Sequence, residues 1–127
     1  MKLKISQLTN FPTFFSKIKS QKLPFKISYK LSMLALEIEK HVSFYQEQFR
    51  GLILEYSEKD KDGNPIPTEE GNGVKIAKET FNEVYAKLEE LESLEAEIPD
   101  TKFSLEDFNG VELTPEEIMV IMPFIEE

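Results

Sequence analysis

The chain has 127 residues, of which 40% are hydrophobic and 31% charged, and its formal net charge is −9. This length fits a single domain covering residues 1–127, and the apolar content is too high for a wholly disordered chain. Cysteine is absent, which excludes disulfides, thiolate metal sites and thiol catalysis, and no apolar run approaches the ~20 residues of a membrane helix. We therefore expect a soluble, unsecreted protein that does not associate with membranes.

Charge is distributed unevenly along the chain. Residues 1–50 hold nine basic and three acidic residues, whereas residues 51–127 hold six basic and twenty-one acidic ones. The acidic balance argues against specific or nonspecific nucleic-acid binding, because phosphate contacts need a concentrated basic surface. The acidic run over residues 89–97 is typical of a solvated helix face.

The first 22 residues predict a short strand followed by a short helix. Lys2-Leu3-Lys4-Ile5 alternates polar and apolar residues, as does the segment 102–105, so we expect these two segments to pair as a two-stranded ribbon. An apolar face then predicts a small packing helix near residues 12–20; its members are Phe11, Phe14, Phe15 and Ile18.

A long helix is predicted over residues 24–57. Apolar residues recur every three or four positions from Ile27 to Tyr56, and Pro24 suits a first helical turn. Most aromatic side chains are assigned to the core by their spacing, including Phe25, Phe49 and Phe81. Phe44 lies off the main stripe; a core position is favoured for it as well, with an interface anchor as the alternative.

Residues 58–73 collect turn formers and predict a loop, or a small β-hairpin that turns on Asp62-Gly63. The next apolar stripe predicts a second helix over residues 74–98, ended by Pro99; it consists of Val74, Ala77, Phe81, Val84, Leu88 and Leu91. The short connection implies an antiparallel, coiled-coil-like hairpin, with the acidic residues 89–97 beside the basic start of the first helix.

Residues 99–127 predict a strand and a terminal helix. Thr114-Pro115-Glu116-Glu117 combines an N-cap residue, a proline in the first turn and a glutamate three residues after the cap. We expect the helix that follows to turn Ile118, Ile121 and Met122 inward. The predicted fold class is mainly α: a long helical hairpin with short packing helices at both termini and a small two-stranded β ribbon.

Motifs for chemistry are incomplete. Asp60, Asp62 and Asn64 have the spacing that begins a calcium loop, but Pro65 stands where that loop needs glycine, and Gly71 where it needs a bidentate glutamate. The only histidine, His41, is most simply a residue at the edge of the core. We expect no cofactor, no metal site and no catalysis, with a small hydrolase as the weakest alternative.

Two surfaces are candidates for protein binding. The first is the tip of the long polar loop, a type of segment that is often functional in compact domains; its candidate residues are Asp60, Asp62, Asn64, Glu69 and Glu70. The second is the acidic end of the second helix, whose charge would steer a basic partner; its candidate residues are Glu89, Glu90 and Glu92. The oligomeric state stays open.

Four segments together resemble a family of small uncharacterised proteins of tailed phages and prophages of Gram-positive bacteria. They are Met1-Lys2-Leu3-Lys4-Ile5-Ser6-Gln7-Leu8, Gln21-Lys22-Leu23-Pro24-Phe25-Lys26, Glu58-Lys59-Asp60-Lys61-Asp62-Gly63-Asn64-Pro65 and Gly110-Val111-Glu112-Leu113-Thr114-Pro115-Glu116-Glu117-Ile118. The resemblance runs over nearly the whole chain and carries no catalytic residues. It implies a phage-encoded protein that acts by contact in the cytoplasm of a bacterial host.

Two functions are compatible with that setting. The first is a non-catalytic accessory protein that binds and modulates a host protein, for example a defence component. The alternative is a component of the virion or of its assembly, such as a tail adaptor or a chaperone.

Overall fold

The structure is a computed structural model that describes residues 1–69, 71 and 73–126. It is mainly helical, with one small sheet. Its longer elements are β1 (Lys2–Lys4), α1 (Phe11–Ile18), α2 (Phe25–Tyr56), α3 (Phe81–Glu92), β2 (Glu95–Glu97) and α4 (Pro115–Ile121). Four short 3-10 helices accompany them, at Ile5–Gln7, Lys78–Thr80, Leu105–Phe108 and Met122–Phe124.

The chain forms two compact units. Unit 1 consists of Met1–Val42 and Glu95–Glu127, and unit 2 of Ser43–Leu94. Helix α2 contributes its first part to unit 1 and its last part to unit 2. The expectation of a single domain stays a prediction.

Unit 1 contains a substantial apolar core. The α2 side chains that the stripe predicted are buried there, namely Ile27, Leu31, Leu34, Ile38 and Val42. They share this core with α1 and with three phenylalanines from the C-terminal segment, Phe103, Phe108 and Phe124. Full burial of a side chain of this kind stabilises the fold by about 1.5–3 kcal/mol. The predicted long helix of residues 24–57 is thus confirmed to within one residue at each end.

The predicted pairing of the ribbon is wrong. Strand β1 pairs antiparallel with β2, in the register Lys2 to Glu97, Leu3 to Ala96 and Lys4 to Glu95. Both strands bury their central apolar residue and present opposite charges on the other face, which favours this pairing. The segment 102–105 instead meets the C-terminal segment, where the amide of Phe103 donates to the carbonyl of Phe124 at 2.8 Å.

The second helix is shorter than predicted, at both ends. Residues 74–77 are extended, since Val74 forms a bridge with Pro67 and Ile76 forms one with Ser57. Valine and isoleucine are β-branched and favour such backbone. At the other end α3 stops at Glu92, so residues 95–97 are free to form β2. The interpretation of residues 89–97 as one continuous helix face, placed beside the start of the first helix, is therefore wrong for Glu95 and Glu97.

The terminal elements follow their sequence patterns. Helix α1 (Phe11–Ile18) overlaps the predicted region of residues 12–20, but it begins one residue earlier and ends two residues earlier. Helix α4 begins at the predicted capping box, where the Glu117 amide donates to Thr114 Oγ1 at 3.2 Å and the Thr114 amide donates to Glu117 Oε1 at 3.0 Å. Ile121 is buried as expected. Met122 is exposed, contrary to the prediction, because the chain leaves α4 there for a 3-10 turn.

Unit 2 has a much thinner core. Among its described residues, Val84 of α3 is the one buried apolar side chain. Phe49 and Phe81, which spacing assigned to the core, are exposed here, and Phe25 is exposed in unit 1. Apolar periodicity gives a side chain's position around the helix, whereas burial depends on whether another element covers that side.

Candidate partner-binding surface

The predicted tip is an ordered turn. Lys59 forms a bridge with Pro65, and Gly63 adopts a positive φ of 82°. The Gly63 amide donates to the Asp60 carbonyl at 3.0 Å, and no described non-glycine residue has a positive φ, so the two-residue turn expected on Asp62-Gly63, which needs a positive φ at both residues, does not form. The Asp60 carboxylate accepts hydrogen bonds from the backbone amides of Asp62 at 2.9 Å and Asn64 at 3.0 Å. This carboxylate oxygen therefore serves the turn itself, which is the ordinary role of an aspartate that begins a turn.

The remaining predicted residues lie apart from that turn. Glu69 is exposed in the segment that returns towards α3, and Glu70 lies outside the described residues. Glu89 and Glu90 are exposed on α3, while Glu92 is half-buried. Within the described parts of the chain, no hydrogen bond or ion pair joins the turn to Glu89, Glu90 or Glu92. The two candidate surfaces are thus not shown to form one site.

Glu92 has a specific structural partner. Its Oε1 accepts a hydrogen bond from the Tyr45 hydroxyl of α2 at 3.1 Å. Partial burial, followed by the neighbouring carboxylate, raises the pKa of Tyr45 above its ordinary value. Tyr45 therefore stays protonated and keeps donating at neutral pH.

A second tyrosine makes a parallel contact at the other end of α3. The Tyr56 hydroxyl donates to Glu83 Oε1 at 2.7 Å. The ammonium of Lys87 lies 5.3 Å from the centre of the Tyr56 ring. Its interaction with Tyr56 is the largest cause that raises the pKa of Lys87, so the lysine remains charged. These contacts attach α3 to α2 with few buried apolar groups.

A groove of about 600 Å³ runs along one side of α2 in unit 2. Its lining includes apolar residues of α2 and of the extended segment that precedes α3; they are Tyr45, Phe49, Ile53, Leu54 and Val74. Phe49 and Leu54 remain 39% and 42% exposed. We call this feature the unit 2 groove.

The unit 2 groove also has a charged group. Arg50, the only arginine of the chain, contributes to its lining and is exposed. A guanidinium presents five donors in a fixed plane, and arginine and aromatic residues are enriched among the residues that dominate binding energy at protein interfaces. The groove therefore combines an apolar floor with a directional polar group.

A second cavity, of about 740 Å³, lies in unit 1 between α1 and α4. Lys17 and Glu117 contribute to its lining and form an ion pair of 2.7 Å. Lys17 also donates to the Glu112 carbonyl at 3.1 Å. Because two of its three charged lining residues, Lys17 and Glu117, are paired with each other, this cavity is a weaker candidate for partner binding than the unit 2 groove.

Sequence reasoning missed the unit 2 groove. Tyr45, Phe49 and Ile53 are spaced four residues apart, a spacing that also fits a buried helix face, so the sequence did not indicate that Phe49 is exposed and the other two only half-buried. The sequence offered one indication that this side is exposed: Gly51 and the polar residues Gln46 and Arg50 interrupt the apolar pattern on the neighbouring side of the helix. Phe44, for which the sequence favours a core position over an interface anchor, is exposed and does not line the groove, so the favoured core position is wrong.

The described residues contain no group of three or more histidine, aspartate or glutamate side chains arranged to hold a metal ion. In the same residues, no helix combines the length and the apolar character that a membrane span requires. The chain matches no protein family, no curated protein and no solved structure.

Proposed function

We propose that this protein is a non-catalytic binding protein whose partner is another protein, and that the unit 2 groove is the principal contact. The observation that carries the proposal is the groove itself, because Phe49, Leu54 and Arg50 are exposed along one side of a regular helix. An apolar surface with a polar rim is the usual anatomy of a protein interface.

The proposal includes a helical hairpin that is confined to unit 2. Tyr45 lies near the start of the unit 2 part of α2 and bonds to Glu92, at the end of α3. Tyr56, at the end of α2, bonds to Glu83 near the start of α3. These pairs support an antiparallel arrangement of the two segments, and α3, with 12 residues, makes it a short hairpin.

Charge favours a partner segment that is apolar and flanked by basic residues. Unit 2 contains twelve acidic and six basic residues, with Glu89 and Glu90 exposed on α3. Such a field steers a basic partner towards the groove and loses range as salt is added. Arg50 then selects a carboxylate or carbonyl within that segment.

The biological setting rests on the resemblance to small phage and prophage proteins. In that setting the protein acts in the cytoplasm of the bacterial host, where it binds and modulates a host protein such as a defence component. The alternative is a role in the virion or its assembly, as a tail adaptor or chaperone. The exposed groove supports contact with a partner and is compatible with both.

Affinity capture from infected cells tests the proposal. The intact chain is used as bait beside two matched leucine variants, Leu54→Ser in the groove and Leu105→Ser in unit 1, where Leu105 is 61% exposed. We expect one partner to be recovered by the intact chain and by Leu105→Ser, and to be lost with Leu54→Ser. Equal recovery of the partner by all three baits would show that the groove is not the contact surface.

Composition of the purified virion separates the two settings. An accessory protein that acts on a host protein is expected to be absent from virions, whereas a tail component is expected in a fixed ratio to other tail proteins. Mass spectrometry of the virion measures this ratio directly.

A further inference from the structure

Helix α2 has a second apolar face in unit 1, separate from the unit 2 groove. It consists of Phe25, Tyr29, Met33 and Leu36, which are 95%, 67%, 46% and 55% exposed. With 100° of rotation per residue, this row lies about 180° around the helix from the buried row that begins at Ile27. We call it the outer stripe.

The outer stripe is large for a surface that faces solvent. Two aromatic side chains and two long aliphatic ones at these exposures present roughly 400–500 Å² of apolar surface. Patches of this size on a single chain are commonly interaction sites. Two such patches together approach the ~1,000 Å² that a specific interface needs, before any contribution from flanking side chains.

The spacing of the outer stripe is self-complementary. When two copies of α2 run antiparallel about a two-fold axis near residue 31, Phe25 of one copy meets Leu36 of the other, and Tyr29 meets Met33. Each contact then occurs twice, as an isologous interface requires. A large aromatic faces a smaller aliphatic side chain in both cases, which allows close packing.

Charge selects the antiparallel orientation. Lys26 and Glu37 lie on the same flank of the outer stripe; Lys26 is exposed, and Glu37, which pairs with Lys40 of the same helix at 3.0 Å, keeps a side chain that is 40% exposed. In an antiparallel pair, Lys26 of one copy faces Glu37 of the other, twice over. In a parallel pair the same flank of the two copies lies on opposite sides of the interface, so the contact between Lys26 and Glu37 does not form.

We propose that the outer stripe is the interface of a homodimer in which two α2 helices pack antiparallel about residue 31. The interface lies wholly in the unit 1 part of α2 and shares no residue with the unit 2 groove. It is independent of the proposed function: a chain that dimerises without a partner, or binds a partner as a monomer, separates the two claims.

Sedimentation measures the dimer directly. The full chain is expected to shift from monomer to dimer between micromolar and submillimolar concentrations. Leu36→Ser is expected to raise the midpoint of that shift at least about tenfold, and Leu105→Ser to leave it unchanged. A chain that sediments as a monomer throughout this range overturns the proposal, as does equal sensitivity to both substitutions.

Cross-linking tests the orientation of the two α2 helices. Because the chain has no cysteine, one introduced cysteine is its sole reactive thiol. Ser32 and Ser43 are both exposed on the outer side of α2. In the antiparallel dimer the two copies of residue 32 lie about 3 Å apart along the axis, and those of residue 43 about 36 Å apart. A short bis-maleimide is expected to cross-link Ser32→Cys and to spare Ser43→Cys. Cross-linking of both positions contradicts the antiparallel orientation.

A charge exchange provides a further test. Lys26→Glu and Glu37→Lys each place like charges together and are expected to weaken the dimer, while the double variant restores opposite charges and dimerisation. Circular dichroism melts confirm that each variant folds. Failure of the double variant to recover, while it remains folded, contradicts the proposed pairing of these two residues.

Discussion

The carboxylate of Glu117 holds several groups in place at the start of α4. It accepts from the Thr114 amide at 3.0 Å and from the Lys17 ammonium of α1 at 2.7 Å. The Lys17 hydrogen bond is the largest cause that lowers the pKa of Glu117 from 4.5 to about 2. One residue thus completes a helix cap and attaches α1 to α4.

This lowered pKa predicts a pH-dependent loss of stability. A carboxyl whose folded pKa lies below its unfolded pKa stabilises the folded state above the unfolded value, and that contribution is lost as pH falls through the folded value. We expect Glu117→Gln to lower the melting temperature most at pH 5–7. The difference from the intact chain is expected to shrink as the pH is lowered towards 2.

Glu116→Gln is the matched control for this prediction. It removes a carboxylate from the same exposed helical turn and leaves the Lys17 contact intact. Thermal melts of both variants at pH 7 and pH 2.5 provide the comparison. A loss caused by Glu117→Gln that is the same at both pH values would contradict the role assigned to its ionised form.

At the scale of the elements, α2 shows that one helix carries two apolar faces of opposite exposure. Leu36 and Ile38 are two residues apart, yet Ile38 is fully buried and Leu36 is exposed. We expect Ile38→Ala to lower the free energy of unfolding by about 2–5 kcal/mol, because it leaves a cavity in a packed core. Chemical denaturation of the purified chain measures the change.

Leu36→Ala is the control, since it has the same helical context and removes a side chain of similar size. Its expected effect on the free energy of unfolding of the monomer is below about 0.5 kcal/mol. Measuring both variants at low protein concentration keeps the proposed dimer from contributing. Equal costs for the two substitutions would show that the assigned faces of α2 are wrong.

The elements that could be predicted from the sequence are those with two agreeing patterns. The start of α2 has both the apolar period and Pro24, and α4 has both an N-cap and a glutamate that closes the capping box. For residues 74–77, the spacing of Val74 and Ala77 fits a helix, while Val74 and Ile76 alternate as a strand does. The bridges to Ser57 and Pro67 decide in favour of extended backbone. Contacts between residues this far apart cannot be recognised from the local sequence.

Strand β2 could not be predicted because of its length and composition. Three residues are too short for an alternation to be recognised, and Glu95 and Glu97 continue the acidic run of α3. Their partners, Lys4 and Lys2, are more than ninety positions away in the chain. The unit 2 groove escaped prediction for a related reason: its exposure follows from the lack of a covering element along part of α2.

At the scale of the whole molecule, buried apolar side chains are divided unequally. Among the described residues, the sixteen of the main core cluster belong to unit 1, while unit 2 has one buried apolar side chain, Val84, and polar contacts such as the one between Tyr56 and Glu83. Local opening requires less free energy where fewer apolar side chains become exposed. The two parts of α2 should therefore differ in stability.

Hydrogen exchange along α2 tests this expectation. Backbone amides of residues 31–42 are expected to exchange more slowly than those of residues 45–54, although both segments have regular helical hydrogen bonds. Mass spectrometry of peptides from each segment, in the same sample, measures the two rates. Uniform protection along the helix would contradict the unequal division of the core.

Site-specific photo-cross-linking in infected cells tests most directly whether the protein acts by contact through the unit 2 groove. A photoreactive phenylalanine analogue is introduced at Phe49 in the groove, at Asp62 in the turn or at Leu105 in unit 1, in separate experiments. We expect one covalent adduct with a single protein from position 49 and none from position 105. An adduct that forms from position 62 or 105 while position 49 forms none would contradict this expectation.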